Sequence, residues 1–311
     1  MSSIKKDFFD KIITVYPTLS PKKKRVADFI LRDYKKIFLL TAKEIAEECE
    51  VSEPTIIRFT VDLGFTGYTD FMQQVKALLH MELTSEERLI KASRQNKEKS
   101  TLKRYYQNAL HNIENAMNAF SEADFKQIAK ELHKADQVFV AGYRASGTLA
   151  YYLGYLLKKV RRNVFTDINL SWDLMDSITH CGKNSLLFAI AYPRYPARTI
   201  AVMNHAKRYG LKIISLTDHH KSPVVSLSDH HIILDVEGVS FVDPFSHVIP
   251  FLGALVHEVS FFDNKKAMER ISAFDKSVEL SDEFFSEENC DERLKYKSDG
   301  SRLNSLWPEK Q

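Results

Sequence analysis

The strongest constraint on this fold is an alternation of short apolar runs with helical stretches in the second half of the chain. Five runs rich in β-branched or apolar residues, typical of buried strands, are separated by segments of helical length. They are QVFVAG from residue 137, NVFTDI from 163, SLLFAIAY from 185, LKIISLT from 211 and HIILDV from 231. Because strands that alternate with helices form parallel sheets covered on both faces, a doubly wound, mostly parallel five-stranded α/β domain is predicted. Ligands of such sheets bind beyond the carboxyl ends of the strands.

The N-terminal quarter follows a different pattern, with helical periodicity throughout and no strand-like alternation. Ser20-Pro21 predicts the start of one helix, and Thr41 with Glu44 three residues later predicts a capping box at another. Ser52, with Pro54 in the first turn, predicts a further helix. The expected organisation is an all-α domain over 1–82, a helical linker over 83–120, the α/β domain over 121–280 and a partly disordered tail over 281–311.

Composition indicates a cytoplasmic protein. The longest apolar runs are about nine residues, too short to span a bilayer, and the opening MSSIKKDFFD does not resemble a signal peptide. Three cysteines, Cys49, Cys181 and Cys290, fall outside any CxxC spacing, which favours free thiols in a reducing compartment. No membrane partner is expected.

The net charge of +3 does not indicate a class of partner, but the distribution of basic residues along the chain is informative. Seven basic residues lie between Ser20 and Lys36, and seven more lie between Arg88 and Arg104. Such clusters are typical of solvated helix faces, and they become candidates for phosphate contact only beside a nucleic-acid motif.

That motif is LTAKEIAEECEVSEPTIIRFTVDLGFTGYTDF, residues 40–71, in which two short helices are joined by a tight turn. The second helix places Thr55, Arg58 and Asp62 on the face opposite its apolar residues, as in a helix that reads the major groove. Asp62 and the acids of the first helix oppose phosphate contact, so a small helical docking domain is the alternative. The candidate DNA contacts are Lys22, Lys23, Thr41, Ser52, Thr55 and Arg58.

Three stretches of this region, LSPKKKRVADFIL, TAKEIAEECEVSEPTIIRF and LGFTGYTDF, resemble the RpiR/MurR-like family of bacterial transcription regulators. The chain departs from the family at Thr60-Val61-Asp62, where basic residues are usual. The resemblance implies that the second domain is a sugar isomerase (SIS) fold that binds phosphorylated sugars.

The two SIS ligand loops are altered in this chain. VFVAGYRASGTLAYYLGYLL resembles the first loop and its helix, with Arg144 where a second glycine is usual. AYPRYPART aligns with the second loop, but the family's serines are absent and only Thr199 matches its threonine. We therefore expect Arg144 and Arg194, with Arg198, to clamp a small anion, unless they form salt bridges at a subunit interface.

Other stretches add further effector candidates. SLTDHHKSPVVSLSDHHIIL resembles the SIS turn before the last strand, and DPFSHVIPFLGALVHEVS resembles the last SIS helix. The candidate effector residues are Arg144, Ser146, Gly147, Thr148, Arg194, Tyr195, Arg198, Thr199, Thr217, Asp218 and Ser246.

The sequence thus favours a DNA-binding transcription regulator, a homodimer or homotetramer, whose partners are double-stranded operator DNA and a small anionic effector such as a phosphosugar. Alternatives are a sugar-phosphate isomerase with an accessory helical domain and a sensor that does not bind DNA. His247, His257, Glu258 and Glu237 form no recognisable acid/base pair, so no catalytic residues are expected. The pairs His219-His220 and His230-His231 lack metal spacing, and neither metal nor cofactor is expected.

Overall fold

The computed structural model describes residues 3–80, 84–94, 100–169, 172–236 and 238–280. Within these ranges the chain forms a helical domain, two connecting helices and an α/β domain. The predicted tail at 281–311 lies outside the described residues. No helix in the described ranges combines the length and apolar character needed to cross a membrane.

The helices of the helical domain begin where the sequence signals predict. Ser20 is the N-cap ahead of Pro21, and Thr41 forms the predicted capping box with Glu44. The helices pack around a core that includes Ile12 and Phe59, both fully buried. They are α1 (Ser3–Val15), α2 (Pro21–Leu39), α3 (Ala42–Glu48), α4 (Glu53–Asp62) and α5 (Tyr68–His80).

Two helices connect the domains, α6 (Ser85–Arg94) and α7 (Thr101–Ala119). The first is fixed at both sides by ion pairs. Its Glu87 accepts from Lys35 of α2 at 3.3 Å, and its Arg88 donates to Asp243 of the α/β domain at 2.7 Å. Helix α6 therefore links the helical domain physically to the loop before the last helices of the second domain.

The α/β domain is built on five parallel strands in the order β2-β1-β3-β4-β5, which confirms the predicted fold class. Its strands are β1 (Gln137–Gly142), β2 (Val164–Asp167), β3 (Ser185–Ile190), β4 (Lys212–Thr217) and β5 (His230–Ile233). Its helices are α8 (Glu122–Lys134), α9 (Ala145–Val160), α10 (Asp173–Thr179), α11 (Ala197–Arg208), α12 (Val248–Phe261) and α13 (Asn264–Leu280).

Alternate side chains of each strand point to opposite faces of the sheet, and helices cover both faces. Val138 and Val140 of β1 pack with α8, α9 and α12, whereas Phe139 and Ala141 pack with α10 and α11. The chain order reverses between β1 and β3, which lie side by side in the sheet. In open parallel sheets such a switch point opens a crevice at the carboxyl ends of the strands.

Candidate functional site

Helix α4 is held by its apolar side against the rest of the helical domain. Ile56, Phe59 and Thr60 are buried, and Leu63 follows them into the same core. A turn separates α3 from α4, in which the backbone N–H of Val51 donates to the carbonyl of Ala46 at 2.9 Å. This packing fixes which side of α4 faces outward.

Two of the six residues predicted to contact DNA, Thr55 and Arg58, lie on α4, and a third, Ser52, is its N-cap. Arg58 is exposed, Thr55 is half-buried, and their neighbour Ser52 precedes the helix. The hydroxyls of Ser52 and Thr55 share a hydrogen bond of 2.9 Å. Thr41 is exposed at the start of α3, where its hydroxyl accepts from the N–H of Glu44 at 3.3 Å.

The basic residues that open α2 contact the rest of the helical domain. Lys23 donates to the carboxylate of Asp62 on α4. Arg25 donates to the carbonyl of Glu50 in the α3–α4 turn at 2.8 Å. Lys22 remains exposed. The repulsion between Asp62 and phosphate that counted against DNA binding is therefore offset by Lys23.

At the other domain, the loops after β1 and β3 meet at the switch point. The hydroxyl of Ser146, at the start of α9, accepts a hydrogen bond from the backbone N–H of Tyr192 at 3.1 Å, and both residues are buried. Gly147 packs closely, since a Cβ there would lie 3.2 Å from the carbonyl oxygen of Gly142, which is tighter than most Cβ contacts. The hydroxyl of Thr148 is exposed and donates to the carbonyl of Ala145.

Arg144 lies on the first of these loops in a conformation that suits glycine. Its φ is 58° and its ψ is −130°, a region that a side chain bearing Cβ rarely adopts. A glycine would adopt this conformation without strain. Arg144 is exposed, as is Arg194 on the loop after β3, so both side chains are accessible to solvent on the loops that follow these two strands.

A second set of contacts surrounds Arg198 at the start of α11. Its guanidinium lies 4.7 Å from the ring centroid of Trp172, and its positive charge acts to lower the pKa of the Tyr143 hydroxyl. Tyr143 in turn donates to the buried carboxylate of Asp167 at 2.8 Å. Burial and this carboxylate raise the pKa of Tyr143, so its hydroxyl stays protonated and remains a donor.

The end of β4 supplies a second buried carboxylate. Asp218 accepts from the hydroxyl of Tyr195 at 2.8 Å and from that of Thr217 at 3.1 Å. Burial and the charge of Asp218 raise the pKa of Tyr195. Asp218 therefore orients the loop after β3 through Tyr195, while its negative charge limits where an anion can lie.

Several buried polar groups at this edge of the sheet make no hydrogen bond within the described residues. They are the hydroxyls of Tyr192, Thr199 and Ser246. His247 is also buried, and its ring approaches the carbonyls of Asp235 and Leu234 without reaching hydrogen-bond geometry. Burial lowers the pKa of His247 and so favours its neutral form. Because an unpaired buried polar group is costly, such groups indicate where a polar ligand can bind.

The structure thus brings most predicted effector residues to one edge of the sheet. Sequence reasoning did not select Tyr143, Asp167, Trp172 and Tyr192, and gave His247 no role in ligand binding. Asp167 had a usable signal, since it is a polar residue at the carboxyl end of a strand. Trp172 had none, because only the folding of its loop brings it over Arg198.

The two histidine pairs lie in different kinds of structure. His230 and His231 belong to β5, but His219 and His220 lie in the turn after β4, which ends at Thr217. The rings of His220 and His231 are 5.8 Å apart. No group of three or more potential metal ligands occurs among the described residues.

Comparison with known proteins agrees with both halves of this description. Residues 7–82 match the helix-turn-helix domain of the rpiR family, and residues 131–256 match the SIS domain. An uncharacterized HTH-type transcriptional regulator from Haemophilus influenzae is 25% identical over 217 residues, covering 69% of this chain and 75% of the relative. Another from Clostridium perfringens is 26% identical over 209 residues, covering 65% and 72%.

Two solved structures share the fold. The sugar isomerase domain of an RpiR transcription factor from Sphaerobacter thermophilus has a TM-score of 0.55 and 20% identity, covering 57% of this chain and 99% of that one. The Vibrio vulnificus NanR protein, solved complexed with ManNAc-6P, has a TM-score of 0.53 and 19% identity, covering 87% and 97%. The second match spans the helical domain as well as the sheet.

Proposed function

Because the chain belongs to the RpiR-like family of DNA-binding transcription regulators, we propose that its sheet crevice binds a small anionic metabolite and thereby changes the affinity of α4 for operator DNA. The observation that carries this proposal is the switch point between β1 and β3. There the two loops that carry Arg144 and Arg194 are joined by the hydrogen bond between Ser146 and Tyr192.

The chemistry of the crevice favours an anion that also carries hydroxyl groups. Two exposed arginines on the loops after β1 and β3 can pair with a phosphate or carboxylate. Deeper in, the unpaired hydroxyls of Thr199 and Ser246 can bond to hydroxyl groups of the same ligand. Sugar phosphates fit this description, and NanR, which shares the fold, was solved complexed with ManNAc-6P. We therefore rank sugar phosphates above other organic anions.

Helix α6 offers the connection between the two sites. Asp243, which bonds to Arg88 of α6, lies three residues before Ser246, whose buried hydroxyl faces no partner within the described residues. A ligand that moves this loop would shift α6 and, through Glu87 and Lys35, the helical domain. In a homodimer or homotetramer that binds two half-sites, such a shift changes the separation of the two α4 helices and hence the affinity for DNA.

We further propose a cellular location and the absence of catalysis. As a regulator of transcription it acts in the cytoplasm, and it has no isomerase activity. We also propose that the chain divides into a helical domain over 1–82, a helical linker over 83–120 and the α/β domain over 121–280. Incubation with sugar phosphates followed by proton NMR tests the absence of isomerisation directly, since a new sugar phosphate would appear in the spectrum.

Thermal-shift measurements of the full chain test ligand binding, with ManNAc-6P, other sugar phosphates, organic acids and nucleotides as probes. A ligand at a hundredfold excess over its Kd stabilises the folded state by about 2.7 kcal/mol. The variants are Arg144→Ala and Arg194→Ala. Arg162→Ala is the matched control, because Arg162 is exposed at the opposite edge of the sheet, before β2.

We expect one class of anion to stabilise the parent and the Arg162→Ala control but neither crevice variant. The same anion should change the affinity for DNA in fluorescence anisotropy. Equal stabilisation of all four proteins would show that the two arginines do not bind the effector. A ligand that binds without altering DNA affinity would overturn the proposed regulation.

A further inference from the structure

The outward surface of α4 is not uniformly polar. At about 100° of rotation per residue, the direction opposite the buried residues Ile56, Phe59 and Leu63 is centred on Arg58 and Val61. Ile57 flanks this direction on one side, whereas Asp62 flanks it on the other. The part of α4 most able to enter a groove therefore presents a cation beside aliphatic side chains.

Ile57 and Val61 form a continuous apolar surface. They lie four residues apart, so their side chains are neighbours on the helix. Ile57 is 43% exposed and Val61 is 53% exposed, although the same helix buries Ile56 and Phe59 almost completely. Neither side chain contributes to the core of the helical domain. Stability of this domain does not account for aliphatic residues at these two positions.

The charges around this apolar surface favour DNA as its occupant. Arg58 lies between the two aliphatic residues along the helix and is exposed. The acid on the other flank of the outward surface, Asp62, is paired with Lys23, and Lys22 lies exposed next to Lys23 in sequence. An apolar patch bordered in this way by cations matches the major groove, where phosphates flank the base edges and each thymine presents a methyl group.

We infer that Ile57 and Val61 contact thymine methyl groups in the major groove and so determine sequence specificity at A·T positions. This inference rests on the proposed function, since it requires that α4 binds DNA. Arg58, between them, is placed to bond a guanine or a phosphate, and each half-site should therefore contain thymines at the positions that face α4.

The test begins with the full-length protein and a random library of 30-base-pair duplexes, from which bound sequences are selected over several rounds. The selected consensus is then synthesised with deoxyuridine in place of each thymine in turn, which removes only the methyl group. Fluorescence anisotropy gives the affinity of the parent, Ile57→Ala, Val61→Ala and the control Ile249→Ala for every duplex. Ile249 is an equally exposed isoleucine on α12.

We expect deoxyuridine at one or two positions per half-site to weaken binding of the parent and the control about fourfold per methyl group. Deoxyuridine at the position that Val61 contacts should leave the affinity of Val61→Ala unchanged. Deoxyuridine at the position that Ile57 contacts should leave the affinity of Ile57→Ala unchanged. Circular dichroism of the variants confirms that these exposed positions tolerate alanine.

Two results would overturn the inference while leaving DNA binding intact. One is a consensus whose affinity is unchanged by deoxyuridine at every position. The other is an equal loss in parent and variants, which would assign the methyl effect to the shape of the DNA. A change in oligomeric state of the variants, without any methyl effect, would instead assign the apolar surface to a protein contact. Failure to enrich any sequence would overturn the proposed function itself.

Discussion

Lys23 of α2 and Asp62 of α4 form an ion pair, although 39 residues separate them in the chain. The pair places a neutral unit at the end of α4 where an unpaired aspartate would repel DNA phosphates. It also fixes α2 against α4. The charge of the surface proposed to face DNA therefore depends on this contact as well as on the basic residues of α2.

The Lys23–Asp62 pair predicts a gain of affinity when the acid is removed. In Asp62→Asn the ammonium of Lys23 becomes available to phosphate, so affinity for DNA should rise and its salt dependence should steepen by about one charge. Anisotropy titrations from low to high salt measure both quantities. Asp275→Asn, on the exposed face of α13, gives the same change in net charge and should leave both quantities unaltered.

The conformation of Arg144 predicts a gain of stability at the expense of binding. Glycine adopts the observed φ of 58° without strain, so Arg144→Gly should stabilise the fold by about 1 kcal/mol while weakening effector binding. Arg144→Ala removes the guanidinium but keeps the Cβ, and should weaken binding without stabilising. Urea denaturation with and without the effector separates these two effects. If Arg144→Gly and Arg144→Ala are equally stable, the backbone at residue 144 is not strained in the parent.

Removing the hydrogen bond between Ser146 and Tyr192 should lower the free energy of unfolding. Ser146→Ala leaves the buried N–H of Tyr192 without its acceptor and should destabilise the protein by about 1–3 kcal/mol. Thr148→Ala is the control, because this neighbouring hydroxyl is exposed and bonds only within its own helix. Urea denaturation measures the difference, which would be absent if the two loops were held by other contacts.

The pKa of His247 predicts part of the pH dependence of stability. Burial lowers this pKa below its ordinary value of 6.5, so the unfolded chain takes up the proton first as the pH falls. Stability should therefore decrease from pH 7.5 to 5.5, and less steeply in His247→Gln. His133 has a pKa lowered by burial as well and should account for part of the remaining slope.

The control for this experiment is His257→Gln, a substitution of an exposed histidine on α12. The free energy of unfolding at each pH comes from urea denaturation. If the parent and His247→Gln lose stability with the same slope, the neutral state of His247 does not contribute to stability in this range.

Much of the fold followed from local signals in the sequence. The helix starts at Pro21 and Ala42 follow from their capping residues, and the order of strands and helices follows from the period of the apolar residues. These signals are local because a cap or a periodicity involves residues within one or two turns. The expected position of the ligand crevice follows from the same strand order, whereas the family resemblance rests on the sequence motifs of the helical domain.

The contacts that define the two sites could not be predicted in this way. Ser146 meets Tyr192 across 46 residues, and Lys23 meets Asp62 across 39. Arg198 lies over Trp172 only because the loop after β2 folds beside the start of α11. The sequence by itself determined the elements and their order, since these depend on neighbouring residues. Tertiary structure decided which charges are paired and which hydroxyls are buried, because those properties depend on how distant elements pack.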